Sequence, residues 1–289
     1  TTLLDLHGQE RGLAIIAALR EAIPFDGFVF PLTDPGTLVG TAPLADIPGL
    51  QWPQLPRLIR NRYLTTVNRW PEIVDSGAVS LLGATQGDPA RSLLWRDVLR
   101  ELGVVDTASI AFTDRYGCWG FLELWRTTSQ PFTRTELTAL TGVGPLVAAG
   151  LRAAVGRTFV EVADDLGRPG PAVILLDPEL HVCSQTSAAA EALFRLNPPD
   201  EPMSPIPAAA YNIGAALVAA EQGVPVGAPW ARVSLGGNRW VTVRADRIGA
   251  DISMQLDQCV AYPADRDAAR KAMELSIRWG ARSKARFGE

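Results

Sequence analysis

The stretch TRTELTALTGVGPLVAAGLRAAVGRTFVEVADD, from Thr133 to Asp165, decides how the rest of the chain is organised. Its apolar residues recur at alternating spacings of three and four, which predicts one long amphipathic helix between two domains. The start of the helix is well marked, because Thr133 is a good N-cap and Glu136 completes a capping box. Pro145 has no amide hydrogen, so we expect the helix to kink or restart near Gly144.

The apolar side of this helix has two explanations that the sequence leaves open. The helix can cover the sheet of its own domain, which needs no second chain. Alternatively, Leu137–Thr158 and Gly8–Ala22 pack against their symmetry mates in a homodimer, because both stretches carry more apolar surface than one sheet needs. The homodimer is the partner that we expect.

The composition is that of a globular protein with two domains. The chain has 289 residues, of which 47% are hydrophobic and 20% are charged. It has no run of about 18 uninterrupted apolar residues and no basic stretch leading into an apolar one at its start. The sequence therefore predicts no membrane span and no signal peptide, and we expect a cytoplasmic protein.

The cysteines and histidines are few and far apart. Cys118, Cys183 and Cys259 form no CxxC pair, so we interpret them as core thiols in a reducing compartment. His7 and His181 are too few for a histidine-rich metal site. We expect neither a metal nor a cofactor.

The last 27 residues differ in charge from the rest of the chain. Residues 263–289 carry seven basic and four acidic side chains, whereas residues 1–262 have a net charge of −7. Lys and Arg can neutralise nucleic-acid phosphates without reading sequence. Ala269, Met273, Ile277 and Gly280 also form an apolar stripe, so a helix that packs on the body or on a partner is an equal alternative.

The predicted elements of the first half follow the order helix, two strands, helices, two strands, helix. They are a helix over Gly8–Ala22, strands over Phe25–Leu32 and Leu38–Ala42, short helices over Leu55–Tyr63, Asn68–Asp75 and Ala90–Glu101, and a hairpin whose strands flank the turn Asp114–Gly117. The prolines and glycines between Thr41 and Gln54 exclude regular structure there.

The second half begins after the linker Gly167–Pro171 and follows the order two strands, helices, three strands. The predicted strands are Ala172–Leu176, Leu180–Cys183, Ala231–Leu235, Arg239–Asp246 and Ile252–Leu256, and the predicted helices are Ser187–Arg195 and Ala208–Gln222. The fold class is therefore α+β, with a central antiparallel sheet flanked by helices in each half.

Several motifs carry a resemblance to known families. AVILLDPEL at 172–180 and SAAAE at 187–191 resemble the opening of a PAS domain. VNRW at 67–70, GATQGDPARS at 83–92, CWGFLELWR at 118–126 and PFT at 131–133 resemble a GAF domain, which has a related fold. Together they resemble the sensor half of the actinobacterial LuxR-type transcriptional regulators.

This resemblance implies a GAF-like domain over residues 1–165, a PAS-like domain over 166–262 and a basic C-terminal helix over 263–289. It implies a non-enzymatic regulator that senses an unidentified small molecule, with DNA bound only through a helix-turn-helix domain that is not evident here. The other function that we consider is an interaction or dimerisation module without a ligand.

No catalytic set is evident in the sequence. The loop Gly83–Arg91 is rich in glycine but lacks the Lys-Ser or Lys-Thr of a phosphate-binding loop. It is a surface loop capped by Asp88, or a loop that covers a ligand. There is no Gly-x-Ser-x-Gly, and the paired carboxylates Asp164 and Asp165 are explained by solvation beside a linker.

The aromatic residues of the first half are the best candidates for a binding site. Trp119, Phe121 and Trp125 alternate along one strand, so we expect them on one face of the sheet. Such residues fill the core in most proteins, although a buried indole also requires a partner for its N–H group. The predicted ligand-binding residues are Phe28, Phe30, Trp70, Thr85, Trp95, Phe112, Trp119 and Phe121, and Trp230 and Trp240 can line a smaller cavity in the second half.

Overall fold

A computed structural model describes residues 3–127, 130–157, 172–196, 208–236 and 239–258. Helices and two five-stranded antiparallel sheets make up this part of the chain. The predicted α+β class with antiparallel sheets is therefore confirmed.

The first sheet and its helices occupy residues 3–157. The helices are α1 (Leu3–Ala22), α2 (Leu55–Leu64), α3 (Leu81–Ala84) and α4 (Arg134–Arg157), and the strands are β1 (Gly27–Thr33), β2 (Gly40–Asp46), β3 (Val79–Ser80), β4 (Asp106–Asp114) and β5 (Gly117–Arg126). Short 3-10 turns cover Trp52–Gln54, Trp70–Glu72 and Pro89–Arg91, and a π-helical turn covers Trp95–Leu99. The strand order is β2-β1-β5-β4-β3.

Both faces of the first sheet are covered. Helices α1 and α4 pack on one face, where Ile16, Leu140 and Phe112 belong to one core cluster. The other face meets α2 and the turns after it, in two smaller clusters around Trp125 and Phe121. Burial on both sides explains why β4 and β5 are almost continuously buried.

A bulge in the β4–β5 hairpin changes which face Trp119 occupies. Phe112 pairs with Gly120 and Thr113 pairs with Cys118, which leaves Trp119 as the extra residue. Trp119 therefore packs on the side of α1 and α4, while Phe121 packs on the opposite side. The prediction that these two residues share a face is wrong, because strict alternation fails at a bulge.

Two local predictions in the first half are also wrong. Strand β2 continues to Asp46 through Pro43, which is tolerated because β2 lies at the edge of the sheet. The predicted helix over Asn68–Asp75 is instead a single 3-10 turn, whereas residues 93–99 of the predicted helix over Ala90–Glu101 are helical, with a π-helical turn at Trp95–Leu99. Asn68 has φ of 50°, a left-handed conformation that ends a helical run rather than starting one.

Helix α4 begins as predicted. The Thr133 N–H and hydroxyl donate to Glu136 Oε2 at 2.7 and 2.8 Å, and the Glu136 N–H donates to Thr133 Oγ1 at 3.3 Å, which confirms the capping box. The helix is continuous through Pro145. It contacts α1 of the same chain, so each of these apolar helices covers part of the other.

By length and composition, Arg134–Val155 in α4 is the one helix of the described residues that could cross a membrane. The sequence predicts no span here because polar residues interrupt the apolar run of this helix. Leu140, Val147 and Ala148 of the helix are buried against the first sheet. A core helix passes the same test of length and composition, so the finding is weak evidence for a membrane span.

The second sheet is formed by residues 172–258. Its elements are β6 (Ala172–Leu176), β7 (Val182–Gln185), α5 (Ser187–Leu196), α6 (Ala208–Glu221), β8 (Trp230–Gly236), β9 (Arg239–Ile248) and β10 (Asp251–Gln258). The strand order is β7-β6-β10-β9-β8. The predicted strands and helices of this half are confirmed to within a few residues at each end.

The two sheets are joined by a shared core and by an ion pair. Helix α6 packs on the second sheet and also on α2 and β2, and Tyr63 and Val39 belong to the same core cluster as α6. The Arg232 Nε and Nη2 atoms donate to the Asp34 carboxylate at 2.7 and 3.0 Å. A side chain at Gly40 would lie 2.8 Å from Asn212 Oδ1, so glycine permits the close approach of α6.

Some predictions fall outside the described residues. These are the end of the long helix beyond residue 157, the linker Gly167–Pro171, the boundary near residue 262, the basic helix over 263–289 and the thiol of Cys259. Of the other cysteines, Cys118 is buried and Cys183 is exposed. The interpretation of Cys183 as a core thiol is therefore wrong, because all of β7 lies exposed at the edge of the sheet.

Candidate functional site

The eight predicted ligand-binding residues do not surround one cavity. Four of them pack with α1 and α4 on one face of the first sheet: Phe28, Phe30, Phe112 and Trp119. Trp70 and Phe121 form a cluster on the opposite face, and Trp95 packs against another cluster on that face. Thr85 is buried at the end of α3. No pocket can be lined by both faces, so the set is divided by the sheet itself.

The indole N–H groups distinguish Trp70 from the other tryptophans of the predicted set. Trp95 Nε1 donates to the Val104 carbonyl at 2.8 Å, and Trp119 Nε1 donates to Asp114 Oδ1 at 3.0 Å. Trp70 Nε1 is buried and has no hydrogen-bond partner among the described residues. A buried donor without a partner is costly and requires an explanation.

A buried ion pair lies beside Trp70. Arg62 of α2 and Glu123 of β5 have side chains that are 7% and 4% exposed, with Nη2 and Oε2 separated by 3.0 Å. Glu123 also accepts hydrogen bonds from Ser109 Oγ at 3.0 Å and from Trp125 Nε1 at 2.9 Å. The carboxylate is therefore well satisfied.

The Arg62 guanidinium is less well satisfied than the carboxylate. Its Nη2 atom is close to Glu123 but lacks hydrogen-bond geometry, and its Nε atom has no partner among the described residues. Burial lowers the pKa of Arg62, while the charge of Glu123 acts in the opposite direction. An arginine remains charged under these conditions, so an unused cationic edge stays inside the protein.

Aromatic rings hold this cluster in place. The Trp70 ring is stacked on Phe121 at 5.0 Å, and the Arg62 guanidinium lies 4.8 Å from the centre of the Trp70 ring. Tyr63 packs edge-on against Trp70, and its hydroxyl accepts a hydrogen bond from the Gly40 N–H at 3.1 Å. Burial raises the pKa of Tyr63, so the phenol stays protonated.

A narrow cleft opens onto these residues, and we call it the Arg62 cleft. It measures about 340 Å³ including the space open to solvent, and its enclosed part has room for a single water-sized group. Its lining comes from the β1–β2 hairpin, from α2 and the turn after it, and from the loop before β8: Thr37, Leu38, Val39, Arg62, Tyr63, Arg69, Trp70, Pro71, Val226 and Gly227. Both halves of the described chain therefore contribute to it.

The hairpin over the Arg62 cleft is fixed by the Asp34 side chain. Asp34 Oδ1 accepts from the Gly36 N–H at 2.8 Å, and Asp34 Oδ2 accepts from the Arg232 N–H at 3.0 Å. Leu38 has φ of 61°, a strained conformation for a leucine. The Asp34–Arg232 contact thus holds a strained residue at the wall of the cleft.

Most residues of this site were not predicted from the sequence. Trp70 was predicted, but Arg62, Tyr63, Arg69 and Glu123 were not. One signal was present, since Glu123 is a charged residue in the middle of the otherwise apolar run FLELW. A charge at a buried strand position requires a partner, and that partner lies on another element.

The site has no arrangement that indicates a particular reaction. Within the described ranges there is no group of three or more His, Cys, Asp or Glu side chains that could hold a metal ion. The loop Gly83–Arg91 is capped as predicted, because Asp88 Oδ1 accepts from the Ala90 N–H at 3.1 Å. The geometry alone defines a buried cluster of hydrogen-bond donors.

Comparison with known proteins gives a different family from the one expected. The model of the queuine tRNA-ribosyltransferase family matches residues 213–289. Proteins named queuine tRNA-ribosyltransferase are similar to part of the chain: that of Caulobacter vibrioides is 58% identical over 50 residues, and that of Pseudomonas syringae pv. tomato is 42% identical over 81 residues. These alignments cover 17% and 27% of this chain and 14% and 22% of the relatives.

These matches overturn the regulator hypothesis. The expectation of a LuxR-type sensor was wrong, and so was the expectation of a protein that is not an enzyme, because the matched family and relatives are named for a transferase. The expected partners, namely a sensed small molecule, a symmetric copy and DNA, belonged to that hypothesis and are corrected with it. The motifs that resemble the LuxR-type regulators lie between residues 67 and 191, whereas the match to the transferase family begins at residue 213.

One solved structure is also similar over much of the chain. It is a chain in "Crystal Structure of the E.coli DhaR(N)-DhaL complex", at 17% identity and a TM-score of 0.30, with 85% of this chain and 84% of that chain covered. A TM-score of this size carries no argument about fold or function.

Proposed function

We propose that the chain acts on tRNA in a ribosyl transfer in which the bond between a ribose and its base breaks, the base leaves and queuine forms the new glycosidic bond, and that residues 213–289 are the part concerned with this reaction. The observation that carries the proposal is the family match to those residues. The chain spans only 14% and 22% of the length of the two relatives described above, so the activity of a whole transferase is part of the proposal.

The charge of the matched segment supports a nucleic-acid partner. Residues 263–289 carry seven basic and four acidic side chains in a protein whose net charge is −4. Basic side chains bind the phosphate backbone by releasing its counterions. This surplus lies within the match and is absent from the rest of the chain.

The face of the second sheet opposite its core also supports contact with RNA, although Arg232 on this face is paired with Asp34. Trp230 and Arg244 are paired across β8 and β9 on the face opposite the core, and the guanidinium carbons of Arg232 and Arg244 lie 5.7 and 6.0 Å from the Trp230 ring. Aromatic rings flanked by arginine are a common platform for stacking unpaired bases. Asp246 on β9 and Asp257 on the neighbouring β10 offset these arginines, so the net positive charge comes from residues 263–289.

The finer description of the fold is a second part of the proposal and concerns architecture alone. We infer a GAF-like first sheet over residues 1–165 and a PAS-like second sheet over residues 166–262. The two sheets have the same strand order when their strands are numbered within each half, which supports two related folds. An experimental structure with a different strand order in either half would contradict this assignment.

The activity is tested by incubating the purified chain with tRNA and queuine. The RNA is then digested to nucleosides, and the queuine-containing nucleoside is measured by mass spectrometry. We expect an amount that rises with time and with protein concentration. Binding of tRNA without incorporation would limit the function to recognition, and absence of both would overturn the proposal. A cytoplasmic location belongs to the same proposal, and cell fractionation tests it.

The role of residues 263–289 is tested with matched pairs of substitutions. Lys271→Gln with Arg278→Gln removes two charges from this segment, and Arg100→Gln with Arg134→Gln removes two exposed charges elsewhere. The first pair should reduce the slope of log affinity against log salt by about 1.4, at about 0.7 per phosphate contact with single strands. The second pair should leave the slope unchanged. Equal slopes in the two variants would contradict the assignment.

A further inference from the structure

The Arg62 cleft combines several buried donors with no acidic side chain in its lining. The Nε atoms of Arg62 and Arg69 and the Nε1 atom of Trp70 are all buried and all lack a hydrogen-bond partner among the described residues. Glu123 lies behind Arg62 and already accepts two hydrogen bonds. Almost all of the unpaired hydrogen-bonding groups on the side chains of the cleft are therefore donors.

We propose that the Arg62 cleft binds a small oxyanion, such as the carboxylate of a small acid or inorganic phosphate. An oxyanion accepts several hydrogen bonds and donates none, which matches three N–H donors that come from different side chains. A bound water could accept only two of these bonds, and its own protons would then need acceptors. The charge of the ligand also complements Arg69, whose ion-pair partner Glu72 is half exposed.

The donors are held rigidly before any ligand arrives. Trp70 is fixed by its stack on Phe121, and Arg62 is fixed by Glu123 and by the Trp70 ring. The strained Leu38 also lines the cleft, in the hairpin that the Asp34–Arg232 contact holds. Such preorganisation lowers the entropic cost of binding.

The enclosed part of the cleft limits the size of the ligand. Its enclosed space is water-sized, so one oxygen of the oxyanion occupies it and the rest of the ligand lies in the part of the cleft that is open to solvent. The three donors lie outside residues 213–289, although Val226 and Gly227 of the lining lie within them. Anion binding is therefore measured separately from tRNA modification.

The test is titration of the purified chain with formate, acetate and inorganic phosphate at constant ionic strength. Calorimetry gives the affinities, with chloride as the background anion. Saturable binding of formate and acetate with weak binding of phosphate identifies a carboxylate site, and the reverse order identifies a phosphate site. No saturable binding of any of the three up to about 50 mM, an affinity of roughly 2 kcal/mol, would overturn the proposal.

Two variants locate the binding without removing the buried ion pair. Trp70→Phe removes one N–H donor and keeps an aromatic ring on Phe121, and we expect the affinity to fall about 2- to 10-fold. Arg69→Gln removes a cationic donor, and we expect a fall of about 10-fold or more.

The matched controls are Trp52→Phe and Arg57→Gln. Trp52 is 59% exposed, and Arg57 pairs with Glu101 on the surface, so neither should change the affinity. Thermal unfolding of each variant without ligand separates a loss of binding from a loss of folding. Equal affinities in the cleft variants and in their controls would overturn the proposal, as would a crystal structure that shows only water at Arg62 Nε in saturating ligand.

Discussion

The two sheets have the same strand order but differ in how they are covered. In the first sheet, β5 is central and is buried on both faces by helices or turns. In the second sheet, β10 occupies the equivalent central position, with Ile252, Met254 and Leu256 in the core and Gln255 and Asp257 exposed. An element that packs on the second face of a sheet buries positions that would otherwise be exposed, and a charge at a buried position requires a partner.

The elements that pack on each sheet decide where a charge is buried. Glu123 and Gln255 occupy the central strands of their sheets, but only Glu123 is buried, and it is held by Arg62, Ser109 and Trp125. The lesson is that strand order alone does not determine the chemistry of a sheet. The elements that pack on it decide which positions can hold an ion pair or a ligand.

The largest expected effect comes from the central strands. Glu123→Ala leaves Arg62 buried without a counter-ion, and we expect a loss of about 3–5 kcal/mol in the free energy of unfolding. Gln255→Ala, at an exposed position of the central strand of the second sheet, should change it by about 0.5 kcal/mol or less. Urea denaturation at neutral pH measures both. Similar losses in the two variants would show that the sheets do not differ in the way described.

The next effect concerns the contact between the two sheets. Asp34 is 1% exposed and is bound by three donors of Arg232, so Asp34→Ala should cost about 2 kcal/mol. Asp46→Ala is the control, because Asp46 is 60% exposed and lies 3.8 Å from Arg20. Its cost should be about 0.5 kcal/mol or less. Chemical denaturation of both variants makes the comparison, and equal costs would mean that the Asp34 contact does not stabilise the fold.

A smaller effect with a defined pH dependence is expected at the start of α4. Burial alone would raise the pKa of Glu136, but hydrogen bonds from Arg126 and Thr133 outweigh it and lower the pKa below the ordinary 4.5. The ionised form therefore stabilises the fold above pH 4.5, and this contribution is lost as the pH falls through the lowered pKa. Glu136→Gln should cost about 1 kcal/mol at pH 7.

The measurement is the free energy of unfolding of the parent and of Glu136→Gln between pH 7 and pH 3. The difference between them should shrink steadily once the pH falls below 4.5. A difference that stays constant over this range would show that the charge of Glu136 contributes nothing.

The smallest effect is expected at the surface of the second sheet. Arg247 and Glu221 form an ion pair with side chains that are 32% and 38% exposed, whereas those of Arg126 and Glu136 are 5% and 19% exposed. Glu221→Gln should lower the free energy of unfolding by only about 0.5 kcal/mol, because exposed ion pairs are weak. In 1 M salt this effect should disappear, because salt screens the pair. Thermal unfolding at low and high salt tests this. A cost equal to that of Glu136→Gln would remove the distinction between the two sheets.

The sequence by itself determined the elements whose signals are local. The hairpin around Asp114–Gly117, the capping box of Thr133 and Glu136, and the strands of the second sheet were predictable because alternation, turn residues and caps act within a few positions. The second sheet was predicted best, since its β6 strand alternates between buried and half-buried residues. Within the candidate site, local signals pointed to Trp70 and, less directly, to Glu123.

Only the tertiary structure decided which residues meet. The bulge at Trp119 divided a set of aromatics that alternation had placed together, and its effect depends on a pairing with β4. The counter-ion of Glu123 is Arg62, which lies 61 residues earlier in the sequence. The counter-ion of Asp34 is Arg232, and 198 residues separate the two. No local pattern encodes such separations, because they are set by how helices and sheets pack. The unpaired donors of the Arg62 cleft follow from that packing, which brings Arg62, Arg69 and Trp70 to one wall and buries them.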